Sequence, residues 1–149
     1  MIELPSLEKD HWQLASAEKA HANAPETFWI PEASARQQLE RGDAAKLLFE
    51  IALLNESGHP FVQVERMWVI VSTVQDGQYI GILDSNPVSV APEEDQYLVF
   101  GAEIPFEPAH IADIAQPPED YVAWQLGQPP ERSWRRFAAE DPKRIDVDR

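Results

Sequence analysis

The sequence predicts an α+β domain: a strongly bent antiparallel sheet of about five strands, small-barrel-like, with N-terminal helices before it and short C-terminal helices after it. Three observations predict this. Val62–Val71 alternates in polarity and is rich in β-formers. Asp76-Gly77, set between two apolar runs, is the strongest hairpin signal in the chain. Prolines outnumber glycines 13 to 6 and cut the rest into short pieces with stiff, irregular connections.

The elements follow in order. Ser6–Ala22 reads as a helix capped by Ser6, with Leu7, Trp12, Leu14 and Ala15 near one face; so thin a stripe predicts loose packing. Asn23-Ala24-Pro25 ends it. Phe28-Trp29-Ile30 reads as an edge strand. Pro31 then opens a second helix to Glu40 or Arg41, closed by Gly42. Lys46–Leu54 is too apolar to alternate and predicts a largely buried strand. After the turn Asn55–Pro60 comes Phe61–Val74, with Val62, Val64, Arg66, Trp68 and Ile70 on one face and Gln63, Glu65, Met67, Val69 and Val71 on the other.

Gln78–Leu83 is the returning strand of the hairpin, and Gly81 within it marks a bend, a bulge or a close backbone approach. Asp84–Pro87 is a turn, Val88–Val90 a short strand, and Pro92–Asp95 an acidic loop. Tyr97–Phe100 is a short apolar segment turned by Gly101. Glu103–Phe106 reads as the final strand, at an edge because Pro105 cannot donate to a ladder. Glu107–Ile114 suggests a helical turn plugging the sheet through Ile111 and Ile114. Glu119–Trp124 and Glu131–Ala139 read as short helices around Pro129-Pro130, docked by Trp124, Trp134 and Phe137, with a frayed tail after Pro142. Leu47-x-Phe49 after Gly42 and Ile104-x-Phe106 after Gly101 are similar strand entries rather than a repeat.

At 149 residues this is one domain's length, with a core at about 28–114, an N-terminal helical extension at 1–27 and a C-terminal helical or irregular extension at 115–149. There is no Cys, which excludes disulfides, thiol catalysis and cysteine-ligated metal, and fits a reducing cytoplasm. The start carries no basic region followed by an apolar run, and no stretch is long enough to span a bilayer, so a soluble cytoplasmic protein is expected.

The formal net charge is −14. Between Arg66 and Arg132 there is no Lys or Arg but 11 Asp and Glu, whereas Glu131–Arg149 holds six basic and five acidic residues. Such acidity repels phosphate and argues against nucleic acid. It attracts a basic protein partner and speeds the encounter. The simpler reading is that it keeps the protein soluble.

Arg41-Gly42-Asp43 with Lys46-Leu47, Glu65–Val69, Gly81–Pro87, and Gly101 with Ile104-x-Phe106 and His110-Ile111 together resemble the bacterial domain-of-unknown-function family numbered 2314. They also resemble its neighbour numbered 2185, which is grouped with immunity proteins of polymorphic toxin systems. The likeness spans about residues 28–114. It implies a small α+β domain and, through the neighbouring family, an immunity-like role.

Candidate site residues are few. Arg66 beside Trp68 on one strand face suggests a patch for an anion or a partner; the preferred alternative is a structural cation–π contact or, through Glu65, an ion pair. Asp84 and Asn86 alternate around a turn as hard-cation ligands would, but both also suit the turn itself, and too few further ligands accompany them. Glu107, His110 and Asp113, spaced three apart, could meet on a helical turn as a metal or acid–base site, against the simpler reading of a capped, solvated turn. His11, His21 and His59 read as surface residues. Trp12, Trp29, Trp124 and Trp134 read as core seals. No Gly-x-Ser-x-Gly elbow or phosphate-binding glycine loop occurs. No cofactor or metal is expected.

The leading expectation is a non-enzymatic protein-binding domain, immunity- or antitoxin-like. The alternatives are a small-molecule or enzymatic pocket at the open end of the sheet lined by Arg66, Trp68 and Tyr79, and a structural accessory domain.

Overall fold

The structure is a computed structural model that describes residues 1–90 and 95–135. Its centre is a strongly curled antiparallel sheet, a half-barrel. The strands are β1 (Trp12–Leu14), β2 (Ala44–Leu54), β3 (Pro60–Gln75), β4 (Gln78–Leu83), β5 (Glu103–Phe106) and β6 (Ile111–Ala115). They run in the order β1-β2-β3-β4-β5, and β6 also pairs with β2. Short helices α1 (Leu7–Asp10), α2 (Ala17–Asn23), α3 (Ala33–Arg36) and α4 (Glu119–Leu126) accompany them.

The hairpin on which the prediction rested is present. Gln75 pairs with Gln78, and Asp76 (φ 53°) and Gly77 (φ 81°) form the two-residue turn, both left-handed as a type I′ turn requires. The other turn, between β2 and β3, is wrapped around Asn55, whose side chain accepts from the Ser57 and His59 N–H groups at 2.8 and 2.9 Å. Gly81 is a close-approach glycine: a Cβ there would lie 2.7 Å and 2.9 Å from Val69 side-chain atoms, opposite the irregularity between Val71 and Thr73. Gly42 and Gly101 both take positive φ, and each donates its N–H to an adjacent strand, to the carbonyls of Val71 and Leu83.

The core lies on one face of the sheet. Phe49, Val69, Ile80, Ile104, Phe106 and Ile111 are fully enclosed there. Ile2, Trp12 and Trp134 join the same cluster, so it reaches well outside residues 28–114. Trp12 stacks on Phe49 and Tyr97, with Trp134 edge-on to it at 5.7 Å between centroids. The Trp12 Nε1 finds no acceptor among the described residues. Its desolvation costs about 1–3 kcal/mol, less than the roughly 4–6 kcal/mol from removing some 150–250 Å² of indole from water.

Several predicted elements differ. Ser6–Ala22 is not one helix: Ser6 caps α1, β1 follows, and Ser16 caps α2. His11 breaks the helix in the left-handed region at φ 67°, and Trp12 enters the core from β1. Its side chain buries more apolar surface there than a thin helical stripe would offer. Phe28-Trp29-Ile30 is not a strand, and Trp29 stands 79% exposed. The second helix shrinks to α3, because Arg36 and Leu39 turn inward: Arg36 donates from Nε to the Pro31 carbonyl and from a terminal nitrogen to Glu18 and the Pro108 carbonyl. Val88–Val90 forms no strand.

Glu103–Phe106 is an edge strand, as Pro105 demands, but not the last. The predicted plug is a 3-10 turn, Pro108–His110, followed by β6, which buries Ile111 by pairing Leu47 rather than by plugging an end. Trp134 seals the core, while Trp124 is exposed on α4. Glu131–Arg135, the described part of the second C-terminal helix, is not helical; it forms a parallel bridge from Arg132 to Ala102. The loop residues Pro92–Glu94, Phe137 and the tail after Pro142 lie outside the described residues.

Candidate binding surface

Strand register decides which predicted residues meet. Lys46 pairs directly with Trp68, Leu48 with Arg66 and Glu50 with Val64, so all six share the sheet face away from the core. Arg66 does not stack on Trp68. Its guanidinium lies 5.3 Å from the Phe28 ring, and Lys46 instead sits 5.2 Å over Trp68. Cross-strand neighbours on a pleated sheet approach more closely than i, i+2 neighbours on one strand, which explains why Lys46 rather than Arg66 covers Trp68. Phe28, Trp29, Lys46, Arg66 and Asp113 line a shallow depression of about 170 Å³ there. Lys46 and Arg66 form no ion pair among the described residues. Phe28, Trp29 and Lys46 escaped sequence reasoning, since their meeting depends on the β2–β3 register.

Glu65 faces the other way. Its carboxylate accepts from the Val88 N–H at 3.0 Å and the Ser89 N–H at 2.5 Å, pinning the loop after β4. Burial pushes its pKa up, but the hydrogen bonds from Ser89 and Val88 outweigh this and hold it below the ordinary carboxylate value. Tyr79 is a core residue. Its hydroxyl donates to the Arg36 carbonyl at 2.7 Å and accepts from the Leu39 N–H, and burial raises its pKa. It therefore lines no pocket with Arg66 and Trp68.

Asp84 accepts from the Tyr121 hydroxyl at 2.6 Å and from Gln125 Nε2 at 2.7 Å, tying β4 to α4. The hydrogen bond to Asp84, with burial and its charge, pushes the Tyr121 pKa up to about 12. Asn86 is exposed at the rim of the adjoining cleft, about 420 Å³, whose floor includes Ile82, Val90 and Leu98 and whose wall includes Gln125. Asp84 is thus committed to α4, while Asn86 stands at the cleft rim.

Glu107 and His110 form a reciprocal cap: the Glu107 N–H donates to His110 Nδ1 at 3.0 Å. Burial lowers the His110 pKa against the pull of Glu107 and Glu18. Asp113 lies on β6 opposite Lys46, away from that cap. No cluster of three metal-ligating side chains occurs among the described residues. No helix among them is long and apolar enough to cross a membrane.

Among the described residues most acidic groups make no ion pair. Glu3, Asp10 and Glu18 are paired with Lys9, Arg135 or Arg36. Glu26, Glu32, Glu40, Glu56, Asp76, Glu119, Asp120 and Glu131 are exposed and make no ion pair among the described residues.

In comparisons with known proteins, no family model, no curated protein and no solved structure matches the chain.

Proposed function

We propose that this chain is a non-enzymatic, cytoplasmic protein-binding domain that engages a basic protein partner. The observation that carries the reading is the exposed acidity that has no ion-pair partner among the described residues, from Glu26 and Glu32 through Glu119, Asp120 and Glu131. A surface of one sign raises the encounter rate with an oppositely charged partner by roughly 10–10³-fold at low salt. An immunity- or antitoxin-like inhibitor of a basic toxin is its most concrete form, supported by charge and by the likeness to families 2314 and 2185.

The test is capture on the immobilised full chain from lysate of the native host at low salt, followed by elution with rising salt. Retained proteins should be basic, should elute as ionic strength rises, and should bind a Glu119→Gln/Asp120→Asn/Glu131→Gln variant more slowly. Capture that ignores both salt and these substitutions would remove the proposal.

A second reading rests on the cleft beside α4. Its volume of about 420 Å³ and its apolar floor suit a small, largely uncharged ligand, with the amides of Asn86 and Gln125 as orienting groups. Such binding would be insensitive to salt.

A further inference from the structure

We propose that two copies of this chain pair edge to edge through β3, antiparallel about a two-fold axis at Val64. The Trp68 carbonyl accepts from the Asp84 N–H at 2.9 Å, and the Trp68 N–H donates to Ser85 Oγ at 3.3 Å. The polar backbone groups of Trp68 therefore point to the β4 side. Strand alternation points those of Arg66, Val64 and Val62 the same way. There β4 has ended: its last rung is Leu83 against Val69. The intervening residues Glu65 and Gln63 turn their backbone groups to β2. Among the described residues nothing pairs with the outer edge of Val62–Arg66, and Val62 and Val64 are 48% and 49% exposed beside it.

The edge is complementary to itself. With the axis at Val64, Val64 faces its twin and Val62 faces Arg66 of the second copy at both ends, each pair exchanging both N–H···O bonds. The ladder ends where it should. The next residues to meet are Pro60, which has no N–H, and Trp68, whose N–H already belongs to Ser85. No like charges oppose each other, since Glu65 faces Gln63 and Arg66 faces Val62. Moving the axis to Glu65 sets two carboxylates against each other; moving it to Gln63 sets Arg66 against Pro60 and loses a donor. A second copy therefore fits this edge better than an arbitrary extended peptide.

The pairing stands apart from binding of a basic partner and has the opposite salt dependence. Two chains of net charge −14 repel, so salt strengthens their association, whereas it weakens a steered encounter with a basic protein. Sedimentation equilibrium of the full chain over rising concentration, at low and high salt, should show a monomer–dimer equilibrium favoured by salt. Val64→Pro removes the central N–H without touching the β2 ladder. Val64→Lys keeps that N–H, faces Glu50 within its own chain, and sets two ammonium groups together across the axis. Each should weaken dimerisation by roughly tenfold or more.

In the dimer the Val62, Val64 and Arg66 amides should exchange slowly. If Val64→Pro fails to fold, Val64→Lys and the amide exchange decide. A chain that stays monomeric at all salts, a dimer undiminished by Val64→Lys, or a Val64 amide as fast in dimer as in monomer would overturn the pairing. So would a monomeric chain that holds a different protein along this edge.

Discussion

Between Ala44 and Ile51, β2 has β3 on one edge, β6 and then β1 on the other, and the core against one face. From Ala52, whose N–H still donates to the His11 carbonyl, to Leu54 it pairs among the described residues with β3 alone. The same hairpin is thus an enclosed wall at its base and a free arm at its tip. At the base Phe49 is fully buried; at the tip Leu54, Phe61 and Val62 are exposed. The hydrogen-bonded ladder is continuous through both. What differs is what packs against it, and that concentrates stability at the base.

The largest expected effect breaks that contrast directly. Phe49→Ala should cost about 3–5 kcal/mol, whereas Phe61→Ala should stay within about 0.5 kcal/mol. Urea unfolding of both variants checks it; equal costs would mean that the tip, too, is core. Next, Gly81→Ala drives a methyl into Val69 at the base and should cost about 1–3 kcal/mol, partly recovered in Gly81→Ala/Val69→Ala.

A smaller effect tests the joint between β4 and α4. Tyr121→Phe should cost about 1 kcal/mol. The Tyr121 pKa is raised from 10 to about 12, so the folded state favours the protonated phenol. Its contribution is complete below pH 10 and lost as pH climbs to about 12. Ultraviolet titration should show a late phenol that Asp84→Asn returns toward its ordinary value.

The smallest effect concerns Glu3, held at a pKa of about 2 by hydrogen bonds from Arg135 and Lys9. Its contribution is present above pH 4.5 and lost as pH falls to about 2. The stability difference between the wild type and Glu3→Gln should therefore close over that acid range, as acid unfolding followed by circular dichroism would register.

The sheet from β3 to β5 was legible because its signals are local. Alternation along β3, the left-handed turn at Asp76-Gly77 and the donor missing from Pro105 each constrain the chain within a few residues. The N-terminal segment was not legible, because Ser6 and Ser16 both cap helices and the three-residue β1 between them is too short to show a period. β6 was hidden for a similar reason: only its pairing with β2 distinguishes Ile-Ala-Asp-Ile-Ala from a helical turn. Of the candidate surface, Arg66 and Trp68 were placed on one shared face, but their partners Phe28 and Lys46 come from elsewhere in the chain. Tyr79 was misplaced because an alternating strand does not say which side the core takes.

The edge-on contact of the Trp134 and Trp12 indoles joins distant parts of the sequence at 5.7 Å between centroids. Indoles that close couple their electronic transitions, so the native fold should carry an exciton couplet in far-ultraviolet circular dichroism that Trp12→Phe or Trp134→Phe abolishes. The couplet reports the closing of the chain upon itself, independently of the hairpin at its centre, and would time that event during folding without any added label.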